Sequence, residues 1–341
     1  MARSGPGGGP DGVPAAIALT PILSARYRQV DLERIAAAAP GSRLVSVSLE
    51  GLADAPLDDV EVLLRGPLPA RVFDRLITRC PGLIWVHSAT AGVERVLTAQ
   101  AETRGLVITN ARGVFSTPIA EYVLMMILAV SRRLPQLLEL QRERTWQPLE
   151  AREMHDVTVG IVGFGSIGRA VAELCLGSGS RVVATRRRGA TGDGGSGDVP
   201  AGVEVLAADA LPELLERSDF VVLALPLTPD TEDLFDERML ARMKPGSWLI
   251  NVARGRLVDE RALVRALREG PMRGAVLDTL RDEPLSPDSP LYDVPNLILT
   301  PHTSWTSGRV LDRSIELFCE NLERFRRGEP LHNAVDPALG Y

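Results

Sequence analysis

From Val157 onward, seven short apolar runs recur with room for a crossover between them: VTVGIVG, RVVAT, VEVLA, DFVVLALP, SWLINVA, RGAVLDT and NLILTP. Strands this uniformly apolar belong to a parallel sheet, because helices cover both of its faces and neither face needs polar side chains. Seven such strands at α/β spacing predict a doubly wound sheet. The first half repeats the plan on a smaller scale, with strands expected at AAIALT (15–20), RLVSVSL (43–49), VEVLLRG (60–66), LIWVHSA (83–89) and LVITN (106–110). Amphipathic stretches such as PARVFDRLITRC separate them. Between the two series, the spacing predicts one long helix over Pro118–Leu137, apolar over an unusually wide face.

A chain of 341 residues with 45% hydrophobic content is long enough for two packed cores. Its net charge of −6, with both signs interspersed, argues against nucleic acid or an anionic membrane as partner. Cys80, Cys175 and Cys319 are odd in number, far apart and form no CxxC pair, so a disulfide framework or zinc site is not expected and a cytoplasmic location is. Tyr122–Val130, the longest apolar stretch, is too short to span a bilayer. Residues 1–13 read as a disordered leader, and the Gly-rich segment 189–198 as a flexible surface loop.

The first strand of the second series runs into GFGSIG, where Gly163, Gly165 and Gly168 form GxGxxG ahead of a helix expected over Ser166–Leu176. Gly163 permits the tight turn, Gly165 leaves space for a pyrophosphate, and Gly168 lets helix and strand approach closely. The pyrophosphate would rest on the helix N-terminus, where unpaired N–H groups favour an anion. An NAD site of this kind places Asp or Glu about 20 residues on, bonded to the ribose hydroxyls. Here that position reads Ala184–Thr185–Arg186–Arg187–Arg188, with no acid. A guanidinium there would pair with a 2′-phosphate, so Arg186 and Arg187, with Thr185, are expected to select NADP over NAD. The alternative is a solvated basic cluster with little cofactor preference.

Three later stretches, NVARGRLVDE (251–260), GAVLDTLRDEPL (274–285) and ILTPHTSW (298–305), fall at C-terminal ends of strands of the same sheet. Ligands of open α/β sheets bind at that edge. Hydride transfer to a 2-keto acid needs a cation for the carboxylate and a general acid for the forming alkoxide. A carboxylate beside an imidazole favours its charged form and fixes its orientation. Arg254, His302 and Glu283 supply these three groups.

With those motifs, from about residue 60 onward, the chain resembles the D-isomer-specific 2-hydroxyacid dehydrogenases. The likeness is densest in VGIVGFGSIGRAVA, PLTPDTEDLFDERMLARMKPGSWLINVARGRLVDE, LDTLRDEPL and NLILTPH. The resemblance implies a Rossmann-type dinucleotide-binding domain (117–307) and a smaller, flavodoxin-like substrate domain built from both chain ends (14–116 and 308–341), with a cleft between them. It implies that Arg254 binds the substrate carboxylate and carbonyl, that Glu283 bonds the histidine, and that His302 is the acid of reduction. It further implies that Asp278 holds the nicotinamide carboxamide. Backbone amides near Ala91, Gly92 and Val93 would grip the carboxylate, beside Arg254 and His302. Ser166, Ile167, Pro226 and Ala253 complete the expected cofactor contacts, and no metal is expected. A homodimer through helix 118–137 and the arm RERTWQP (142–148) is usual in such proteins.

Two departures stand out. Thr90 precedes the amide loop where the family often has glycine, and Thr303–Ser304–Trp305 replaces common small residues after the histidine. Trp305 either lines the pocket or packs the hinge. The expected activity is NAD(P)H-dependent reduction of a small 2-keto acid, of the glyoxylate or hydroxypyruvate class, to the D-2-hydroxy acid. Two alternatives stand beside it: the same chemistry on a bulkier keto acid, and a non-catalytic dinucleotide-sensing interaction protein. Formate or phosphite oxidation fits less well, since those activities go with NAD and the acid after the second strand is missing.

Overall fold

The computed structural model describes residues 12–22, 27–187 and 199–336. Most of the expected leader, Arg188, the Gly-rich segment 189–198 and the tail 337–341 lie outside the described residues. The described chain forms two compact units, one ending at Phe115 and resuming at Ser307, the other spanning Ser116–Thr306.

The first unit carries β1 (Ala16–Leu19), β2 (Arg43–Ser46), β3 (Val60–Arg65), β4 (Trp85–Ser88) and β5 (Val107–Asn110). They pair in parallel in the order β2-β1-β3-β4-β5, the flavodoxin-like arrangement. Alternate residues serve opposite faces, as a two-residue period requires. Ala16, Ala18, Leu63 and Val86 pack into one core layer, and Ile17, Leu19, Val62, Leu64 and Trp85 into the other. The second layer is closed by helix Val310–Arg326, which contributes Ile315, Phe318 and Leu322. The Phe318 ring lies 5.5 Å from that of Trp85.

In the second unit the strands are β6 (Thr158–Val162), β7 (Arg181–Arg186), β8 (Val203–Ala207), β9 (Phe220–Leu223), β10 (Trp248–Asn251), β11 (Gly274–Leu277) and β12 (Leu297–Leu299). All pair in parallel, in the order β12-β11-β10-β9-β6-β7-β8. The chain thus leaves β6 in one direction and returns on its other side at β9. That reversal between β6 and β9 is the topological switch point, outside whose carboxyl ends ligands of this fold bind.

Several strands of the second sheet stop short of the carboxyl ends of the apolar runs that announce them. SWLINVA ends as a strand at Asn251, RGAVLDT at Leu277 and NLILTP at Leu299. The leftover residues become loops along one edge of the sheet, and they include Ala253, Asp278 and the approach to His302.

One expectation needs correction. The helix foreseen over Pro118–Leu137 is two helices, Ser116–Ser131 and Leu134–Arg142, broken at Arg133 with a left-handed φ of 60°. Pro135 is the cause: it has no N–H to donate, and its ring would collide with the carbonyl four residues back, that of Ser131. That carbonyl instead accepts the amide of Arg152 at 3.0 Å. Among the described residues, no helix is long and apolar enough to cross a membrane.

Candidate active site

The glycine turn links β6 to helix Ser166–Gly177 at the switch point. Gly163 has φ of 97°, and a Cβ there would lie 2.6 Å from the carbonyl oxygen of Ala224, just past the end of β9. Both facts demand glycine. At Gly168 a Cβ would come within 2.3 Å of the Gly163 carbonyl, so helix and turn are in close contact there. Gly165 differs: a Cβ on it would meet nothing within 4 Å. Open space therefore faces the start of a twelve-residue helix whose first N–H groups receive no side-chain cap. A phosphate fits such a place, because it supplies the missing acceptors and complements the helix dipole. The turn, with Ser166 and Ile167 as first helical residues, suits a dinucleotide's pyrophosphate.

Beside the turn, the amide of Gly163 donates to the carbonyl of Thr185 at 3.2 Å. Val162 is in register with Thr185, which brings Arg186 and Arg187 level with the turn at the carboxyl end of β7. Thr185 itself is buried, Arg186 half-buried and Arg187 exposed. Pro226 lies on the loop after β9, exposed, its carbonyl accepting the Thr231 hydroxyl at 2.8 Å.

The remaining groups sit on loops after β10, β11 and β12, which are neighbours in the sheet. Past β10, the buried Asn251 side chain staples its own loop: Oδ1 accepts the Ala253 amide at 3.0 Å and Nδ2 donates to the Arg254 carbonyl at 2.9 Å. Such Asx-type bonding competes with the ladder and ends the strand. The Arg254 guanidinium donates to the carbonyl of Ala253 at 2.8 Å.

His302 Nδ1 lies 2.8 Å from Glu283 Oε2, and Glu283 Oε1 accepts the Leu280 amide at 2.9 Å. Burial opposes ionisation of Glu283, but the bonds from His302 and Leu280, together with the His302 and Arg254 charges, outweigh it and hold the carboxyl below the usual range. An ionised Glu283 accepts only, so Nδ1 carries a hydrogen and Nε2 is the ring nitrogen left outside that bond. Arg254, Glu283 and His302 thus form one electrostatic group. His87, by contrast, is buried in the first unit, and burial pushes it down to about 3. Among the described residues, no cluster of His, Cys, Asp or Glu could hold a metal ion.

Residues 124–304 match the sequence profile described as D-isomer specific 2-hydroxyacid dehydrogenase, NAD binding domain. The chain belongs to the D-isomer-specific 2-hydroxyacid dehydrogenase family. It is 34% identical over 307 residues to a glyoxylate reductase of Korarchaeum cryptofilum, covering 87% of each chain. With a glyoxylate reductase of Thermococcus gammatolerans it shares 35% identity over 294 residues, 83% of each chain. Among solved structures it resembles a D-isomer-specific 2-hydroxyacid dehydrogenase from Xanthobacter autotrophicus Py2 in complex with NADPH and MES (TM-score 0.84, 30% identity, 96% of this chain and 100% of that one). It also resembles an NADPH-dependent glyoxylate/hydroxypyruvate reductase from Sinorhizobium meliloti in complex with NADP and sulfate (TM-score 0.80, 28% identity, 96% and 100% covered). As a family member, the chain is an oxidoreductase built on a dinucleotide-binding domain.

In this dehydrogenase the amide loop of the first unit has its carbonyls occupied from within. Asn110 Nδ2 donates to the Ala91 carbonyl at 2.9 Å, and the Thr90 hydroxyl to that of Gly92 at 2.8 Å. Ser88 completes the set at 2.9 Å from the Thr90 hydroxyl. The departure at Thr90 thus adds a hydroxyl that holds the loop, and Val93 anchors it in the core. Trp305 is half-buried.

Two residues escaped the sequence reading. Asn251 was legible as an Asx residue at a strand end. Gly255 was not, because the need for it comes from a distant loop: a Cβ there would stand 1.9 Å from the carbonyl carbon of Leu280. Leu280 is the residue whose amide holds Glu283. Gly255→Ala is therefore expected to displace the 280–283 loop, costing about 1–3 kcal/mol of stability and reducing turnover as well. Urea unfolding and steady-state kinetics check this; wild-type values in both would show that the close approach is dispensable.

Proposed function

We propose that this dehydrogenase reduces a small 2-keto acid, of the glyoxylate or hydroxypyruvate class, to the D-2-hydroxy acid with NADPH as the preferred donor. The observation that carries the proposal is the 2.8 Å pairing of His302 with Glu283, under the charge of Arg254, on the edge that holds the glycine turn. The glyoxylate reductases among its relatives support the substrate class. Structural neighbours bound to NADPH or NADP support the cofactor, as does the absence of an acid after β7.

Gly163, Gly165, Ser166, Ile167 and Gly168 would hold the pyrophosphate, and Arg186 and Arg187 the 2′-phosphate. The hydride for the carbonyl carbon would come from the nicotinamide of the dinucleotide held there. Arg254 presents a planar guanidinium, able to bind a carboxylate by two parallel bonds and to draw electron density from the carbonyl oxygen. His302 delivers the proton from Nε2 to that oxygen as negative charge develops on it. Glu283 fixes the imidazole tautomer and the ring's orientation through Nδ1. Because the Glu283 carboxyl is held low, its charge is present throughout the neutral range and is lost only as pH falls through the depressed value.

Substitution Glu283→Gln keeps the shape and removes the charge. With that charge gone, keto-acid reduction at neutral pH should slow by roughly ten-fold. Unchanged turnover would remove Glu283 from this role. The proposal as a whole is tested by NADPH consumption with glyoxylate, hydroxypyruvate and a branched 2-keto acid. Turnover confined to the branched acid would transfer the reading to bulkier substrates. Silence on all three with NADPH bound would favour a sensing role.

A further inference from the structure

His302 sits on a backbone that residues with a side chain seldom adopt. Its φ of 50° lies in the left-handed region, which a residue with a side chain keeps only where its surroundings enforce it. The enforcement comes largely from one buried residue. Asp278 accepts the Thr300 hydroxyl at 2.7 Å, the Thr303 amide at 2.8 Å and the Ser304 amide at 2.9 Å through its carboxylate. Its carbonyl accepts the His302 amide at 2.9 Å. The chain is thus tied to Asp278 on both sides of the histidine. An ionised carboxylate has about four acceptor positions. Three are taken, which leaves one for the carboxamide contact that family resemblance implies.

The network has one further member. Thr300 has a single hydroxyl proton, committed to Asp278, so the 2.6 Å contact between its oxygen and the Tyr122 hydroxyl runs with Tyr122 donating. Tyr122 belongs to helix Ser116–Ser131 and is 8% exposed. Burial, with the nearby Asp278 charge adding to it, pushes its phenol up to about 12, so it keeps its proton at any working pH.

We propose that Tyr122, acting through Thr300 and Asp278, is a positioning residue that holds the proton-donating His302 in its left-handed conformation. The proposal rests on the reading of His302 as general acid. With Tyr122 donating, the Thr300 hydroxyl is held between two partners and the loop has one arrangement. Without that donor, Thr300 can turn to other acceptors, and the anchor on the His302 loop slackens.

The test uses the full chain with NADPH and the keto acid it turns over fastest, and reads the single-turnover rate of hydride transfer. Tyr122→Phe keeps the ring and loses one neutral hydrogen bond. The rate should fall roughly five-fold, with NADPH affinity unchanged. Thr300→Val should lower the rate further, and Thr300→Ser should recover most of that loss, because it restores the hydroxyl. A role in packing alone predicts at most a lower melting temperature for Tyr122→Phe. A wild-type rate in Tyr122→Phe, or a loss confined to NADPH affinity, overturns the proposal. Glu283→Gln separates the two levels. If it slows the same step while Tyr122→Phe does not, positioning by Tyr122 fails alone. If neither variant slows it, the acid assignment has failed and this inference falls with it.

Discussion

His302→Ala should lower turnover in keto-acid reduction by roughly 10²–10⁴-fold, the usual worth of a well-placed general acid, while NADPH binds as before. The separation follows from where the residue sits. His302 follows β12 at one end of the sheet order, whereas the glycine turn and Arg186 belong to β6 and β7, beyond β9, β10 and β11. Truncating the imidazole removes the proton donor and leaves every group proposed to hold the dinucleotide. It also leaves Glu283 with the Leu280 amide as its remaining bond at that site, a half-satisfied carboxylate that water can reach, since its side chain is 37% exposed. Fluorescence titration with NADPH and rapid-mixing kinetics make the two measurements. Unchanged turnover would remove His302 from the acid role, and a parallel loss of NADPH affinity would mean that the variant had disturbed more than the proton donor.

The second large effect concerns cofactor choice. In the double variant Arg186→Ala/Arg187→Ala, kcat/KM with NADPH should fall while kcat/KM with NADH stays level or rises. Hydrogen bonds to charged groups are worth about 1.5–3 kcal/mol each, so each lost phosphate contact costs roughly 10–100-fold. The preference should also weaken as salt is added, because Arg187 is exposed and its attraction is screened. Equal efficiency with both cofactors in the unaltered enzyme would contradict the assignment before any substitution is made. In that case the arginines would be the solvated basic cluster that the sequence also allowed.

Much of the molecule was legible before its structure. Strand after strand matches its apolar run, because a parallel sheet covered on both faces demands the same chemistry all along each strand. The glycine turn was legible because three glycines fall within six residues, at the end of one apolar strand and the start of a helix. Arg254, Glu283 and His302 were legible as chemical types, and the fold gathers all three on the carboxyl edge of the second sheet. The break at Arg133 is written in Pro135, but apolar periodicity that continues through it masks the signal. Overshoot at strand ends had another cause: hydropathy does not register that Asn251 turns its amide onto its own backbone.

Local sequence alone determined the identity of the elements, the doubly wound plan and the kind of chemistry available, since each of these is written in neighbouring residues. Tertiary structure alone decided how the acid is held. The left-handed backbone of His302, the reach of Tyr122 across 178 positions to Thr300, and the approach of Gly255 to Leu280 all depend on which strands lie side by side. Strand order follows from the packing of whole layers, and periodicity within a single segment does not record it.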